Sequence, residues 1–306
     1  MLKPSLISVV IPVFNRASSI ELAVKSVISQ TYTNFELILV DDCSTDNSWE
    51  VLQGYSDPRI KCLKLSQNSG PATARNNGIK HAKGEYISLL DSDDFYEAEF
   101  LENTYNTLSK SSKEVGFMWT GVRYIQDEIR KEFFWVPKRL ETPYLTFLNS
   151  LHIGTNSGIT FKKKVFDTCG FFNEELSAAE DTEFFLRITQ EYDYTYSKKV
   201  LINIEKDGND RLSKNYKKIA EAYNKFVPKH LNVINKSETL KKKFYYKLMW
   251  LNYQAGHKDL ARKYFRKTPK NEFIILIKLY LTYSFYEFLP LPLATKLHLR
   301  FASKFL

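Results

Sequence analysis

The sequence predicts an α/β protein, with a mostly parallel sheet flanked by helices in its first part and a helical appendage at its C-terminal end. Three observations carry this. Short apolar, β-branched runs alternate with helix-period segments through about residue 120, the pattern of a parallel sheet covered on both faces. Polar residues gather where those runs end, at the sheet edge where open α/β folds bind ligands. Beyond Lys214 the strand pattern stops and the apolar spacing becomes helical.

The elements follow in order. Leu6–Val13 is apolar and β-branched, and Ile20, Ala23, Val24, Val27 and Ile28 then repeat at helical spacing. Phe35–Val40 reads as a second buried strand, with Ser44 as N-cap of a helix through about Leu52. Ile60–Leu65 alternates like a strand. Pro71–Ala82 is a helix opened by proline in its first turn. Tyr86–Leu90 is a fourth strand, and a helix covers Glu97–Ser109. From about Val122 to Lys199 aromatic and polar residues mix irregularly, as in a cleft lining. Phe244–Phe265 reads as two helices broken at Gly256. Phe273–Ile277 and Leu279–Tyr286 form an apolar segment interrupted by Lys278, ended by Glu287 and followed by Pro290 and Pro292. A membrane span needs about 20 apolar residues with few charges. The interruptions favour contact with a membrane surface, with intramolecular packing as the plainer alternative.

The fourth strand, Glu85-Tyr86-Ile87-Ser88-Leu89-Leu90, runs into Asp91-Ser92-Asp93-Asp94, three carboxylates in four residues. Carboxylates so close repel one another, and a proton or a cation relieves the repulsion. All-oxygen ligands suit a hard ion such as Mg2+ or Mn2+. On spacing alone a metal site and a solvated acidic turn are equally good readings. Asn15-Arg16, Asp41-Asp42 and Asn68-Ser69-Gly70 also follow strand ends, and four polar strand ends on one edge argue for a ligand site.

Composition narrows the class. The chain has 306 residues, 43% hydrophobic and 26% charged, ordinary for a globular protein. Three widely spaced cysteines, Cys43, Cys62 and Cys169, fit neither a disulfide framework nor a zinc site and suggest reduced thiols in a cytoplasmic protein. Met1 to Leu6 leads straight into a strand with no charged-then-apolar leader, so no signal peptide is expected. The five histidines show no metal-ligand spacing. The net charge of +9 hides an asymmetry: residues 198–306 carry 24 basic and 8 acidic residues, net +16, leaving 20 and 27, net −7, for residues 1–197. The basic part expects a polyanionic surface nearby or is simply a solvated face.

The motifs resemble those of a family-2 glycosyltransferase. Ile7-Ser8-Val9-Val10-Ile11-Pro12-Val13-Phe14-Asn15 and Phe35-Glu36-Leu37-Ile38-Leu39-Val40-Asp41-Asp42-Cys43-Ser44-Thr45-Asp46 are similar to the family's opening. Asn68-Ser69-Gly70, Ala74-Arg75-Asn76-Asn77-Gly78 and Leu90-Asp91-Ser92-Asp93-Asp94 continue it in order. Gly170-Phe171-Phe172-Asn173-Glu174 and Glu180-Asp181-Thr182-Glu183-Phe184 resemble its acceptor half. The resemblance covers residues 5 to about 200; the C-terminal third carries no such fingerprint.

That resemblance implies a GT-A fold over residues 1–213, with 1–120 the nucleotide-sugar half and 121–213 the acceptor half, followed by a basic, aromatic-rich helical region over 214–306. It implies a nucleotide-sugar donor, UDP by default, Mn2+ or Mg2+, and inversion at the anomeric carbon. Asp42 would accept the uracil N3–H, with Pro12 and Phe14 walling the base pocket; the family often has Tyr where Phe14 stands. Asn15, Arg16, Asn68, Gly70 and Ser92 would lie near the nucleotide. Asp93 would ligate the metal, with Asp91 on the metal or the ribose and Asp94 facing the sugar or a backbone amide. Arg75 would order the carboxylates or neutralise phosphate, against the alternative of a structural ion pair. Asp181 would be the general base, supported by Glu180, where the alternative is charge complementarity at a helix start. Arg211 and Ser213 would belong to a mobile lid, or to an exposed turn. Trp119, Trp135, Phe133 and Phe134 would wall a sugar site or pack in a core.

The expected activity is transfer of a sugar to a hydroxyl of a lipid-linked or growing cell-surface glycan at the cytosolic face of a membrane. Residues 236–306 would hold the protein peripherally on anionic lipid. A nucleotidylyltransferase would need a glycine-rich basic loop after the first strand, which Pro12-Val13-Phe14-Asn15-Arg16 does not provide. A dinucleotide oxidoreductase would need G-x-G-x-x-G after a strand. A degenerate transferase acting as a binding module is opposed by the intact carboxylates, and no nucleic-acid motif accompanies the basic part.

Overall fold

The computed structural model of the chain describes residues 4–126, 131–150, 155–205, 215–270 and 273–302. It divides into two compact units: residues 1–175 with 180–209, and residues 176–179 with 210–306.

In the first unit β1 (Ile7–Val13) pairs in parallel with β2 (Phe35–Asp41) on one side and β4 (Tyr86–Leu89) on the other, and β2 pairs in parallel with β3 (Ile60–Lys64). Nearly every residue of β1, β2 and β4 is buried, because helices cover both faces of a parallel sheet. Helix α1 (Ile20–Ile28) buries Ile20, Ala23, Val24 and Val27. Helix α3 (Pro71–His81) crosses so close to the sheet that a Cβ on Gly78 would stand 2.4 Å from Val10 Cγ1. Alanine there would overpack the core at a cost of about 1–3 kcal/mol.

Two sequence expectations need correction. Helix α2 (Ser48–Gln53) begins at Asn47, not Ser44. Cys43 turns the chain at φ 57°, and the Ser44 hydroxyl accepts the Asn15 amide instead of capping a helix. The described residues between Val122 and Lys199 fall mostly in regular elements, not in the irregular lining expected. This stretch contains the end of β6 (Val115–Gln126) and the first part of β9 (Asp193–Glu205), with β7 (Lys131–Trp135), α5 (Pro143–Ser150), β8 (Ile159–Lys162), α6 (Lys164–Cys169) and α7 (Glu180–Glu191) between. Their signal is weak because β6 carries Gly116 and Gly121 and β9 carries exposed Lys198 and Lys199, which interrupt the alternation. After β4 a short β5 (Asp94–Tyr96) precedes α4 (Phe100–Leu108). Among the described residues the sheet runs β3-β2-β1-β4-β8-β6-β9-β5, with β7 on β6. Strand β8 joins antiparallel to β4 and to β6, so the parallel half continues into a mixed half.

The second unit is helical: α8 (Tyr216–Phe226), a 3-10 turn over Val227–His230, α9 (Leu231–Ile234), α10 (Glu238–Gln254), α11 (Lys258–Lys267), α12 (Phe273–Phe288) and α13 (Leu291–Ala302). Met249, Tyr253, Ala261, Phe265, Leu279, Tyr286 and Ala294 form a core there. Among the described residues no helix is long and apolar enough to cross a membrane.

Candidate active site

The strand order places β2 and β3 to one side of β1 and β4 to the other, so chain direction across the sheet reverses between β1 and β4. A crevice opens outside the carboxyl ends of strands at such a point. Asn15, after β1, adopts φ 52°, a conformation asparagine tolerates better than most residues. Its amide donates to Ser44 Oγ at 3.0 Å and its Oδ1 accepts the Thr45 amide at 2.8 Å. The Arg16 amide donates to Ser48 Oγ at 2.8 Å. Its guanidinium crosses the reversal to Asp93 at 3.8 Å, with the two side chains 41% and 50% exposed. An exposed pair of this kind contributes at most about 1 kcal/mol, so a ligand can reorganise it at small cost.

Asp42 is buried, and it is a loop anchor. Its Oδ1 accepts the Ser69 amide at 2.7 Å and its Oδ2 the Gly70 amide at 2.8 Å. Each oxygen has a second lone pair, so acceptor capacity toward a ligand remains. Burial pushes this carboxyl above its usual range, while the two amides pull it back. Gly70 has φ 89° and ψ 165°, a region other residues occupy only at about 1–3 kcal/mol. A Cβ there would meet nothing within 4 Å, so the requirement is conformational. Phe14 and Asn68 are exposed and Pro12 is half-buried.

The acidic turn after β4 is held by a residue the sequence did not single out. Ser157, just before β8, accepts the Asp91 amide at 3.0 Å and donates its hydroxyl to Asp94 Oδ2 at 2.5 Å. The Asp94 amide closes the turn onto the Asp91 carbonyl at 3.1 Å. Asp94 and Ser92 are thereby buried while Asp93 points outward. No pattern in Asn156-Ser157-Gly158 marks it beforehand, because the contact exists only once β8 pairs with β4.

Arg75, on α3, is buried beneath this turn. Its Nη2 donates to Asp91 Oδ1 at 2.7 Å and its Nη1 to Glu180 Oε1 at 2.9 Å. Burial alone would favour the neutral form, but Asp91 and Glu180 more than offset it and hold Arg75 above its ordinary value. Glu180 and Asp181 open α7. Burial raises both carboxyls; Asp181's charge adds to Glu180's rise, and Arg75 opposes both. Asp181 Oδ1 accepts the Thr182 amide at 2.5 Å and the Thr182 hydroxyl at 3.2 Å. Among the described residues no donor is seen on its Oδ2.

The Gly170–Glu174 motif braces this arrangement. Asn76, one residue beyond Arg75, exchanges bonds with Phe172: Nδ2 to the carbonyl at 2.8 Å, and the Phe172 amide to Oδ1 at 3.0 Å. Its Nδ2 also meets Glu174 at 2.8 Å. From α7, Arg187 donates to the Cys169 and Phe171 carbonyls and forks onto Glu183. Trp119 is core, stacked on Phe185 at 5.4 Å, whereas Phe133, Phe134 and Trp135 of β7 are exposed. Arg211, Ser213 and His152 lie outside the described residues.

Among the described residues no three His, Cys, Asp or Glu side chains converge as a ready metal cluster. Asp91 and Asp93 offer two carboxylates on one turn. That donor set fits Mg2+ or Mn2+, which keep several waters and share coordination between one or two carboxylates and substrate phosphates.

The model of the family described as Glycosyl transferase family 2 matches residues 8–170. The glycosyltransferase GlyG of Streptococcus pneumoniae is 39% identical over 131 residues, covering 42% of this chain and 42% of that protein. The UDP-Glc:alpha-D-GlcNAc-diphosphoundecaprenol beta-1,3-glucosyltransferase WfaP of Escherichia coli is 43% identical over 98 residues, covering 32% of this chain and 39% of that protein. The chain thus spans less than half the length of either relative. Among solved structures, S. aureus TarS 1-349 in complex with UDP-GlcNAc matches with a TM-score of 0.65 at 17% identity, over 92% of this chain and 87% of that one. The mannosyltransferase PcManGT from Pyrobaculum calidifontis, in complex with GDP-Man and Mn2+, matches with a TM-score of 0.57 at 18% identity, over 91% and 79%. At these identities the likeness speaks for the fold, which is that of GT-A transferases.

Proposed function

Because the chain belongs to glycosyl transferase family 2, we propose that it moves a sugar, with inversion, from a UDP-sugar to a hydroxyl of a lipid-linked or growing cell-surface glycan. The observation that carries this reading is the Arg75 bridge between Asp91 of the acidic turn and Glu180 beside Asp181. It links the carboxylates suited to a donor diphosphate with a carboxylate pair suited to an acceptor.

The proposed chemistry assigns each residue one task. Asp181 takes the acceptor hydroxyl's proton while that oxygen bonds to the anomeric carbon. The bond from that carbon to the diphosphate oxygen breaks, and UDP leaves. A base works best with a pKa near the operating pH, and burial moves Asp181 in that direction. Glu180 and Arg75 fix its surroundings and are positioning residues. Asp42 keeps the Asn68–Gly70 loop against the nucleotide and offers its remaining lone pairs to the base, with Phe14 and Pro12 as walls. Arg16 gives up its exposed contact with Asp93 for the diphosphate. Asp93 and Asp91 would hold Mn2+ or Mg2+, which neutralises charge developing on the leaving diphosphate. Support for the donor class comes from UDP-GlcNAc and GDP-Man in the structural neighbours, and for the acceptor class from WfaP's diphosphoundecaprenol substrate.

The net +16 of residues 198–306 supports a peripheral position on anionic membrane. The test of the reading is calorimetric titration of UDP with and without Mn2+, with GDP, dTDP and CDP as competitors, followed by a screen of UDP-sugars. Tight binding of UDP only with Mn2+ is expected. Preference for another nucleotide would overturn the donor assignment, and binding of none would overturn the enzyme reading.

A further inference from the structure

The corner between α12 and α13 reads Phe288-Leu289-Pro290-Leu291-Pro292-Leu293. Phe288 is 79% exposed, Leu291 43% and Leu293 45%, and both prolines are exposed as well. Leu289 turns inward against the core of the helical unit. Three exposed apolar side chains within six residues make an apolar corner, and contiguous exposed apolar patches mark interaction sites.

Part of its polar surroundings is bonded within the helical unit. The Leu289 amide donates to the Phe285 carbonyl at 3.0 Å, and the Ala294 amide to the Pro290 carbonyl at 3.0 Å. Pro290 and Pro292 have no amide proton to leave unsatisfied in an apolar phase. Behind the corner, the Tyr286 hydroxyl accepts from Trp250 at 2.9 Å and from Gln254 at 2.7 Å, and Thr295 bonds the Leu291 carbonyl at 2.8 Å.

The sequence around it is predominantly basic. From Phe273 to Leu306 the basic residues are Lys278, Lys296, Arg300 and Lys304, and Glu287 is the sole acid. Glu287 is neutralised internally: Arg262 forks onto it at 2.9 Å through both Nε and Nη2, and the Tyr253 hydroxyl donates to it at 2.6 Å. Arg262 comes from α11, which also exposes Lys258, Lys263, Arg266 and Lys267 and whose only acid is Asp259.

We propose that the Phe288–Leu293 corner inserts into the headgroup–acyl boundary of an anionic bilayer, with the basic residues of α11 and Lys296 on the lipid phosphates. This rests on the peripheral-membrane reading above and adds the element that enters the lipid. A second copy of the chain is a poorer occupant, because two surfaces of the same positive sign repel. An anionic interface attracts the cations and removes Phe288, Leu291 and Leu293 from water.

The test is co-sedimentation of the full chain with phosphatidylglycerol/phosphatidylcholine vesicles and with phosphatidylcholine vesicles alone. Three variants accompany it: Phe288→Ser with Leu291→Ser, Lys263→Glu with Arg266→Glu, and Leu291→Trp. The serine pair is expected to lower partitioning onto anionic vesicles about tenfold or more, with circular dichroism and UDP binding unchanged. The tryptophan variant is expected to be quenched by brominated lipid, which checks insertion even if the serine pair misfolds. Undiminished binding of the serine pair, or no quenching at residue 291, overturns the insertion while the membrane reading stands. No vesicle binding by the parent chain overturns both. Self-association that Phe288→Ser abolishes would make the corner an interface between copies.

Discussion

The Arg75 guanidinium donates to Glu180 at 2.9 Å across 105 residues of sequence, and both side chains are nearly buried, 6% and 9% exposed. Removing one partner of such a pair leaves an uncompensated charge in a low-dielectric site, at about 3–5 kcal/mol. Arg75→Met is expected to lose stability of that order in urea titration. Arg75→Lys should recover only part of it, because a single ammonium cannot reproduce the fork onto both Asp91 and Glu180. Wild-type stability in Arg75→Met would mean the pair is not built as described.

Asp181→Asn is expected to abolish transfer while leaving UDP affinity nearly unchanged, since the proton it takes belongs to the acceptor. The same change should stabilise the fold at pH 8. Burial raises the Asp181 carboxyl, so the folded state holds that proton more tightly than the unfolded chain. Its contribution to stability is complete below the unfolded value of about 4 and is lost as pH rises through the folded value. Asparagine escapes that loss. The Tm gain should therefore be largest at pH 8 and shrink as the pH falls. Near-normal turnover by the variant would remove Asp181 from the mechanism.

The pH profile follows from the same carboxyls. Glu180 and Asp181 titrate as a pair, both raised by burial, and the base works only when ionised. The acid limb of kcat/KM is expected above the ordinary carboxylate range of about 4. Arg75 opposes the rise, so residual activity of Arg75→Lys, with its charge displaced, should show that limb at a higher pH. A limb at or below the ordinary range would exclude both as the titrating base.

Much of this was legible in the chain, for reasons that differ by region. Strands β1, β2 and β4 are buried on both faces and read as unbroken apolar runs, so Ile7–Val13 and Phe35–Asp41 were found to within a residue. Proline at 71 announced the start of α3. Strands β6 and β9 were hidden because the apolar alternation breaks at Gly121 and at Lys198-Lys199. At the site, the family resemblance put forward Asp42, Asp93 and Asp181 as candidates, but it could not reveal what their neighbours bond. That Asp42 anchors Ser69 and Gly70, and that Ser157 organises the acidic turn, depend on contacts 27, 28 and 63 residues apart in sequence.

Ser157 and Asp93 separate the order of the acidic turn from its ligand chemistry. The Ser157 hydroxyl accepts from the Asp91 amide and donates to Asp94. Ser157→Ala takes one partner from the half-buried Asp91 amide and one from the buried Asp94 carboxylate, which costs about 1–3 kcal/mol. It should weaken UDP binding with and without Mn2+, because the turn loses its shape whatever the metal. Asp93→Ala acts differently. Its carboxylate is half-exposed, and surface substitutions shift stability little, so stability should change little. UDP binding without metal should persist, and the tightening on adding Mn2+ should vanish. Titrating UDP into both variants with and without Mn2+ distinguishes the two. If tightening survives in Asp93→Ala, the ligand is another residue; if Ser157→Ala binds as wild type, the hydroxyl does not hold the turn.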